Sequence, residues 1–135
     1  MARTLICMTT THHGSTVRIT RLFADAKGES HFGDDELEMS ESVFAPPAPA
    51  VLISKPESAT RSLVLVLSDG WFGKAHPAPN QQLMIMLNGT LEVTVSDGET
   101  RLFTTGNVVK VTDTIGRGHS TKSINGDAVV AVVQS

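Results

Sequence analysis

Residues 82–95 read QLMIMLNGTLEVTV, and this stretch decides the fold. Every position from Leu83 to Leu87 is apolar, so Gln82, Met84 and Met86 share one face of a strand while Leu83, Ile85 and Leu87 share the other. Both faces are therefore expected to be covered. After Asn88-Gly89 the pattern alternates: Leu91, Val93 and Val95 oppose Thr90, Glu92 and Thr94, as in a half-exposed strand. Asn-Gly between two such runs is the signal of a tight hairpin turn. The same reading takes Asn88-Gly89-Thr90 as a turn rather than a glycosylation site.

The signals recur outward in both directions. Short runs rich in Val, Leu, Ile, Thr and Phe at 17–23, 29–32, 51–54, 63–67, 71–76, 100–103, 107–111, 119–124 and 128–133 read as strands. Asp69-Gly70, Asp97-Gly98, Thr105-Gly106 and Asn125-Gly126 mark turns between them. Helical periodicity is almost absent, so the pattern predicts an all-β antiparallel sandwich or barrel. Residues 34–42 carry Asp34, Asp35, Glu36, Glu38 and Glu41 with only Leu37 and Met39 to bury, which suits a solvated loop or an edge strand. Pro46, Pro47 and Pro49 enforce an extended connection after it. Residues 63–67 and 129–133 are apolar on both faces, more than one small barrel interior absorbs, so outward apolar surface is expected to meet a second copy in a homodimer.

With 135 residues the chain suits one domain, placed at 17–135 after an N-terminal segment 1–16 that is expected to be flexible. In that segment His12 and His13 read as solvated side chains. The balance of 11 Lys+Arg against 14 Asp+Glu gives −3 with no basic run, which argues against a nucleic-acid partner. No helix-turn-helix segment is evident either. A lone Cys7 forms no internal disulfide and suits a reducing, cytoplasmic setting. No apolar run approaches the ~20 residues of a membrane-spanning helix, and the first residues lack a secretory leader. Hydrophobic residues make up 40% of the chain, but with no Tyr, one Trp and five Phe the core must be mostly aliphatic.

The stretch His76-Pro77-Ala78-Pro79-Asn80-Gln81-Gln82, six further residues and Gly89 is similar to the first motif of the cupins. Gly106, followed thirteen residues later by His119, is similar to the second. Gly28-Glu29-Ser30-His31-Phe32 and Asp113-Thr114-x-Gly116-x-Gly118-His119 resemble a group of small single-domain cupins. The resemblance spans roughly residues 17 to 134 and implies a double-stranded β-helix, or jelly-roll barrel. It also implies a cage of three histidines and a glutamate. Carried over residue by residue, His76 is the first ligand, Ala78 replaces the second histidine, Gln82 replaces the glutamate and His119 is the last histidine. Such a set lacks an anionic ligand, so it implies either a weakly bound divalent metal (Fe, Mn, Zn or Ni) on His76, Gln82 and His119, or a metal-free polar pocket built on the same three residues.

Further candidates surround that trio. Glu29 and His31 share a strand face and would suit proton transfer if they face the pocket; otherwise they are surface residues. Met84 and Met86 read as a soft apolar pocket wall or as plain core filling, Trp71, Phe72 and Phe103 as residues of the mouth or as packing, and Arg117 as a gate or partner for a substrate carboxylate. Two functions follow. One is an enzyme of oxygenase, isomerase or lyase type with His76, His119 and Gln82 as catalytic residues; the other is a non-catalytic, metal-free module for a small organic acid or sugar-like ligand.

Overall fold

The computed structural model describes the backbone of β1 (Arg3–Leu5) and β2 (Thr11–His13), and residues 16–135. Cys7 and the side chains of His12 and His13 lie outside the described residues. The sequence of 1–16 shows no strand period, yet β1 pairs in parallel with β9 (Glu99–Thr104) and β2 pairs antiparallel with β3 (Thr16–Ala24).

Two long strands organise the rest. β8 (Gln82–Val95) and β11 (His119–Gln134) run antiparallel, with Gln82 opposite Gln134 at one end and Val95 opposite His119 at the other. Between these ends the pairing shifts register, from Ile124 opposite Thr90 to Val129 opposite Asn88. On the Gln82 side β8 also pairs with β10 (Val108–Val111), which continues through β3 and β4 (Ser30–Ser42) to β5 (Val51–Ser54), while β6 (Arg61–Leu67) closes the outer edge of β11. On the Val95 side β8 pairs with β9, and β11 pairs with β7 (Phe72–His76). The result is a two-faced jelly-roll barrel whose faces share β8 and β11. It is all-β; the described residues form no helix, and none is long and apolar enough to cross a membrane.

This arrangement corrects two expectations. Asn88-Gly89 and Asn125-Gly126 are not hairpin turns but irregularities inside continuous strands. Gly89 has φ +84°, and a Cβ there would lie 2.3 Å from the Asp127 carbonyl oxygen, so the bulged strand is pressed directly onto the glycine backbone. Turn chemistry serves here to bend a sheet. Asp69-Gly70, Asp97-Gly98 and Thr105-Gly106 do lie in turns. The acidic stretch 34–42 takes the edge-strand alternative: β4 pairs with β3 and then with β5, one partner at a time.

The interior is aliphatic, as composition requires. Alternate residues Ala128, Val130 and Val132 of β11 meet Met86, Leu91, Val93 and Val95 of β8 in one cluster, closed by Leu22, Phe32, Phe103, Val109 and Val111. Leu91, Val93 and Val95 point inward as their alternation demands. Replacing Gly89 with Ala adds both the left-handed backbone penalty and the clash with Asp127. We expect a loss of about 1–3 kcal/mol or more, read as a lower urea midpoint at unchanged m-value.

Candidate functional site

The site begins with a buried carboxylate. Asp113 follows β10 and has no exposed surface; its Oδ2 accepts from His119 Nδ1 at 2.7 Å. Its backbone oxygen accepts from the Ala78 N–H at 3.0 Å. One residue thus fixes both the imidazole and the passage that follows β7. Asp113 Oδ1 is the buried side-chain polar atom without a hydrogen-bond partner among the described residues, a cost of about 1–3 kcal/mol that packing must offset.

His119 is 8% exposed and stands opposite both His76 on β7 and Val95 on β8. Because Nδ1 donates to Asp113, Nε2 is the atom left for another partner. His76 repeats the pattern: its Nδ1 donates to the Pro77 carbonyl at 2.8 Å, and its ring centroid lies 5.7 Å from that of His119. This approach depends on Gly118, where φ is +72° and a Cβ would fall 2.0 Å from the His76 carbonyl carbon. Only glycine lets the end of β7 lie on the start of β11. The imidazoles differ in setting. His119 lines a narrow interior space of about 20 Å³ together with Met84, Met86, Leu91 and Phe103, whereas His76 is exposed. A space that small holds about one water, so a ligand would have to engage the pair from the His76 side.

The structure brings His76 and His119 together and sets Met84 and Met86 beside His119 on its interior side, but the other expected residues lie elsewhere. Gln82 sits at the opposite end of the β8–β11 ribbon from His119, accepts from Gln134 Nε2 at 3.0 Å and lines a separate surface cavity. Trp71 and Phe72 are outside, 45% and 56% exposed, and the Trp71 ring lies over Gly73. Glu29, His31 and Arg117 form a latch between loops. Glu29 accepts from Ser96 Oγ at 2.5 Å and from Arg117 Nη1 at 2.9 Å, and the Arg117 N–H donates to the Gly28 carbonyl at 2.9 Å. His31 bridges two carboxylates, with Nδ1 2.7 Å from Asp97 Oδ2 and Nε2 2.8 Å from Asp25 Oδ2. Ser30 Oγ, fully buried, donates to the Gly118 carbonyl at 2.6 Å. The two cupin-like segments around Gly28 and Gly116 therefore bind each other and hold Gly118 in place.

Sequence reasoning missed Asp113 as a site residue. The available signal was its place six residues before His119 at the end of a strand. Asp25 and Asp97 were missed because nothing in their local sequence links them to His31.

The cupin-type metal cage does not fit these residues. Ala78 is 3% exposed, with its N–H committed to Asp113, so the second-histidine position is packed shut. Gln82 is turned to Gln134, and Asp113 is occupied behind His119. What remains is two imidazoles with no anionic donor beside them in the position of a ligand, and no group of three or more His, Cys, Asp or Glu among the described residues could hold a metal ion.

No family model matches the chain, and no curated protein matches it. Among solved structures it is similar to the Schizosaccharomyces pombe Cnp3 cupin domain, with a TM-score of 0.41 and 13% sequence identity over 91% of this chain and 86% of that one. So loose a likeness carries no information about chemistry.

The latch is pH-dependent. Hydrogen bonds donated to Asp25 and then to Asp97 raise the His31 pKa above the usual imidazole value, and the His31 bond holds Asp25 below the usual carboxylate range. His31 thus contributes fully below about 6.5, its ordinary value, and the contribution is lost as pH rises through the elevated one. Asp25 contributes above its ordinary value of 3.8 and fades as pH falls through the depressed one. The stability difference between wild type and His31→Gln is expected to be largest near pH 5 and to shrink by about pH 9, as urea melts across that range would show.

Proposed function

We propose that this chain is a small-molecule-binding barrel that holds a small organic acid at the His76–His119 pair and needs no resident metal. The 2.7 Å bond between buried Asp113 and His119 Nδ1 carries this reading. It commits one ring nitrogen inward and keeps the other for a ligand, beside a second imidazole oriented in the same way by Pro77. Two such nitrogens match the two oxygens of a carboxylate, by direct hydrogen bonds when the imidazoles are protonated. The carboxylate behind His119 also favours a second reading, in which the pair acts as general acid and base on the bound acid; a buried Asp that orients a His and stabilises its charged form is the arrangement proton transfer needs.

The test uses pyruvate, malonate and citrate as probes on protein stripped with a chelator. At least one should raise the melting temperature; a ligand at 100 times its Kd contributes about 2.7 kcal/mol. That gain should vanish in His76→Ala and His119→Ala. Absence of stabilisation by all three probes, or a near-stoichiometric Fe, Mn, Zn or Ni content in separate protein purified without chelator that both variants lose, would overturn the proposal.

The homodimer forms part of the same proposal. Val64 and Val66 on β6 remain 60% and 65% exposed and stand opposite Ala131 and Val129, so an apolar face continues across β6 and β11. A second copy with the same face is the self-complementary partner. Sedimentation is expected to give a dimer at micromolar concentration and a monomer for Val64→Lys/Val66→Lys; a monomeric wild type contradicts it.

A further inference from the structure

A second cavity lies away from the histidines. It measures about 450 Å³ and is bounded by the middle of β4, the extended segment 54–59, β10 and the ends of β8 and β11, with Leu37, Ala59, Leu83 and Lys110 among its walls. That volume falls within the range of small-molecule sites.

Its polar edge is built from a chain of amides whose orientation is fixed. Arg61 Nε can only donate, and it lies 2.5 Å from Gln134 Oε1. The Gln134 amide nitrogen therefore faces Gln82 Oε1, at 3.0 Å. Gln134, the middle of the relay, is 5% exposed, while Gln82 is half-buried and Arg61 is exposed at its outer end. Gln82 is left with its NH2 group, which has no acceptor among the described residues, at the edge of the cavity that it lines. The relay begins at a guanidinium, and each amide polarises the next, which strengthens the final donor. The cavity thus offers a strong donor to an oxygen acceptor.

The charges around it decide which acceptor. Lys110 is already paired with Glu57, and Glu36 is turned to Arg18 at 3.8 Å, so the β10 wall of the cavity carries no uncompensated charge to select an ion. Lys110 Nζ and Glu57 Oε1 face each other at 3.4 Å, so a cationic donor and an anionic acceptor stand side by side. A hydroxyl group satisfies both, accepting from the ammonium and donating to the carboxylate. A neighbouring hydroxyl or ring oxygen would accept from Gln82. Leu37, Ala59 and Leu83 offer apolar wall to the C–H faces of such a molecule.

We infer that this cavity is a binding site for a neutral polyhydroxylated small molecule, a sugar or polyol, recognised by the Arg61–Gln134–Gln82 relay and the Lys110–Glu57 pair. The site is independent of the His76–His119 pair, and either can fail without the other.

The experiment is a nitrogen-15 NMR titration of the whole chain with D-glucose, D-xylose and glycerol, with malonate and putrescine as charged comparators. At least one neutral probe should give saturable shifts at the Gln82 side-chain NH2 and at Ala59, with a Kd on the order of 1 mM or tighter. Losing one such hydrogen bond in Gln82→Ala should weaken binding about tenfold. Ala59→Trp, at an exposed position, should fill the cavity and abolish the shifts even if Gln82→Ala proves unstable. The inference is overturned if no neutral probe saturates, if binding is unchanged in Ala59→Trp, or if malonate or putrescine shifts the Gln82 NH2 and Ala59 signals at lower concentration than all three neutral probes; shifts confined to His76 and His119 report the other site.

Discussion

A carboxylate removed from water must find a donor, and Asp113 finds His119. Much of the candidate site follows from that requirement. The bond sets which nitrogen of His119 faces inward, and the carbonyl of the same residue captures the Ala78 N–H, so the chain leaving His76 runs past His119 rather than away from it. Gly118 then allows backbone contact that any side chain would block. Ser30 and Arg117 tie this segment to the loop around Gly28. The imidazole pair is therefore held by backbone contacts and by a polar network outside the aliphatic core.

Strand positions could be read well from periodicity because they are determined by burial. Leu91, Val93 and Val95 alternate, and the structure buries them. The glycine signals were harder. Asn88-Gly89 and Asp97-Gly98 look alike locally, yet one bends a continuous strand and the other reverses the chain. What separates them is the partner strand, since Gly89 is pressed by Asp127 and the bulge in β11 exists only once both strands are paired. Gln82 illustrates the same limit. Its spacing from His76 suggested a shared pocket, but the amide is captured by Gln134, fifty-two positions along the chain. His31 found Asp97 across a similar distance. Side-chain partners set by the fold's closure leave no local trace.

The two proposed sites reflect a division within the barrel. Its interior is filled with Met, Leu, Val and Phe and keeps only about 20 Å³ beside His119, so the central cup is core rather than vessel. The proposed binding chemistry lies instead at the rim, where His76 meets solvent, and on the flank, where residues 54–59 line the larger cavity. Small size explains the displacement: a chain of 135 residues with few aromatics must spend its inward positions on stability.

The shared strands also govern how the molecule assembles. Since β8 and β11 each belong to both faces, neither face can complete itself before residues 119–134 arrive. Pairings so distant along the chain require loop closure before any contact rewards it, which places such a topology among slow folders, with times from milliseconds to seconds. A ribosome-bound fragment ending before His119 would display the unpaired edge of β8, so this protein's passage through synthesis is the moment when it is most exposed to misassociation.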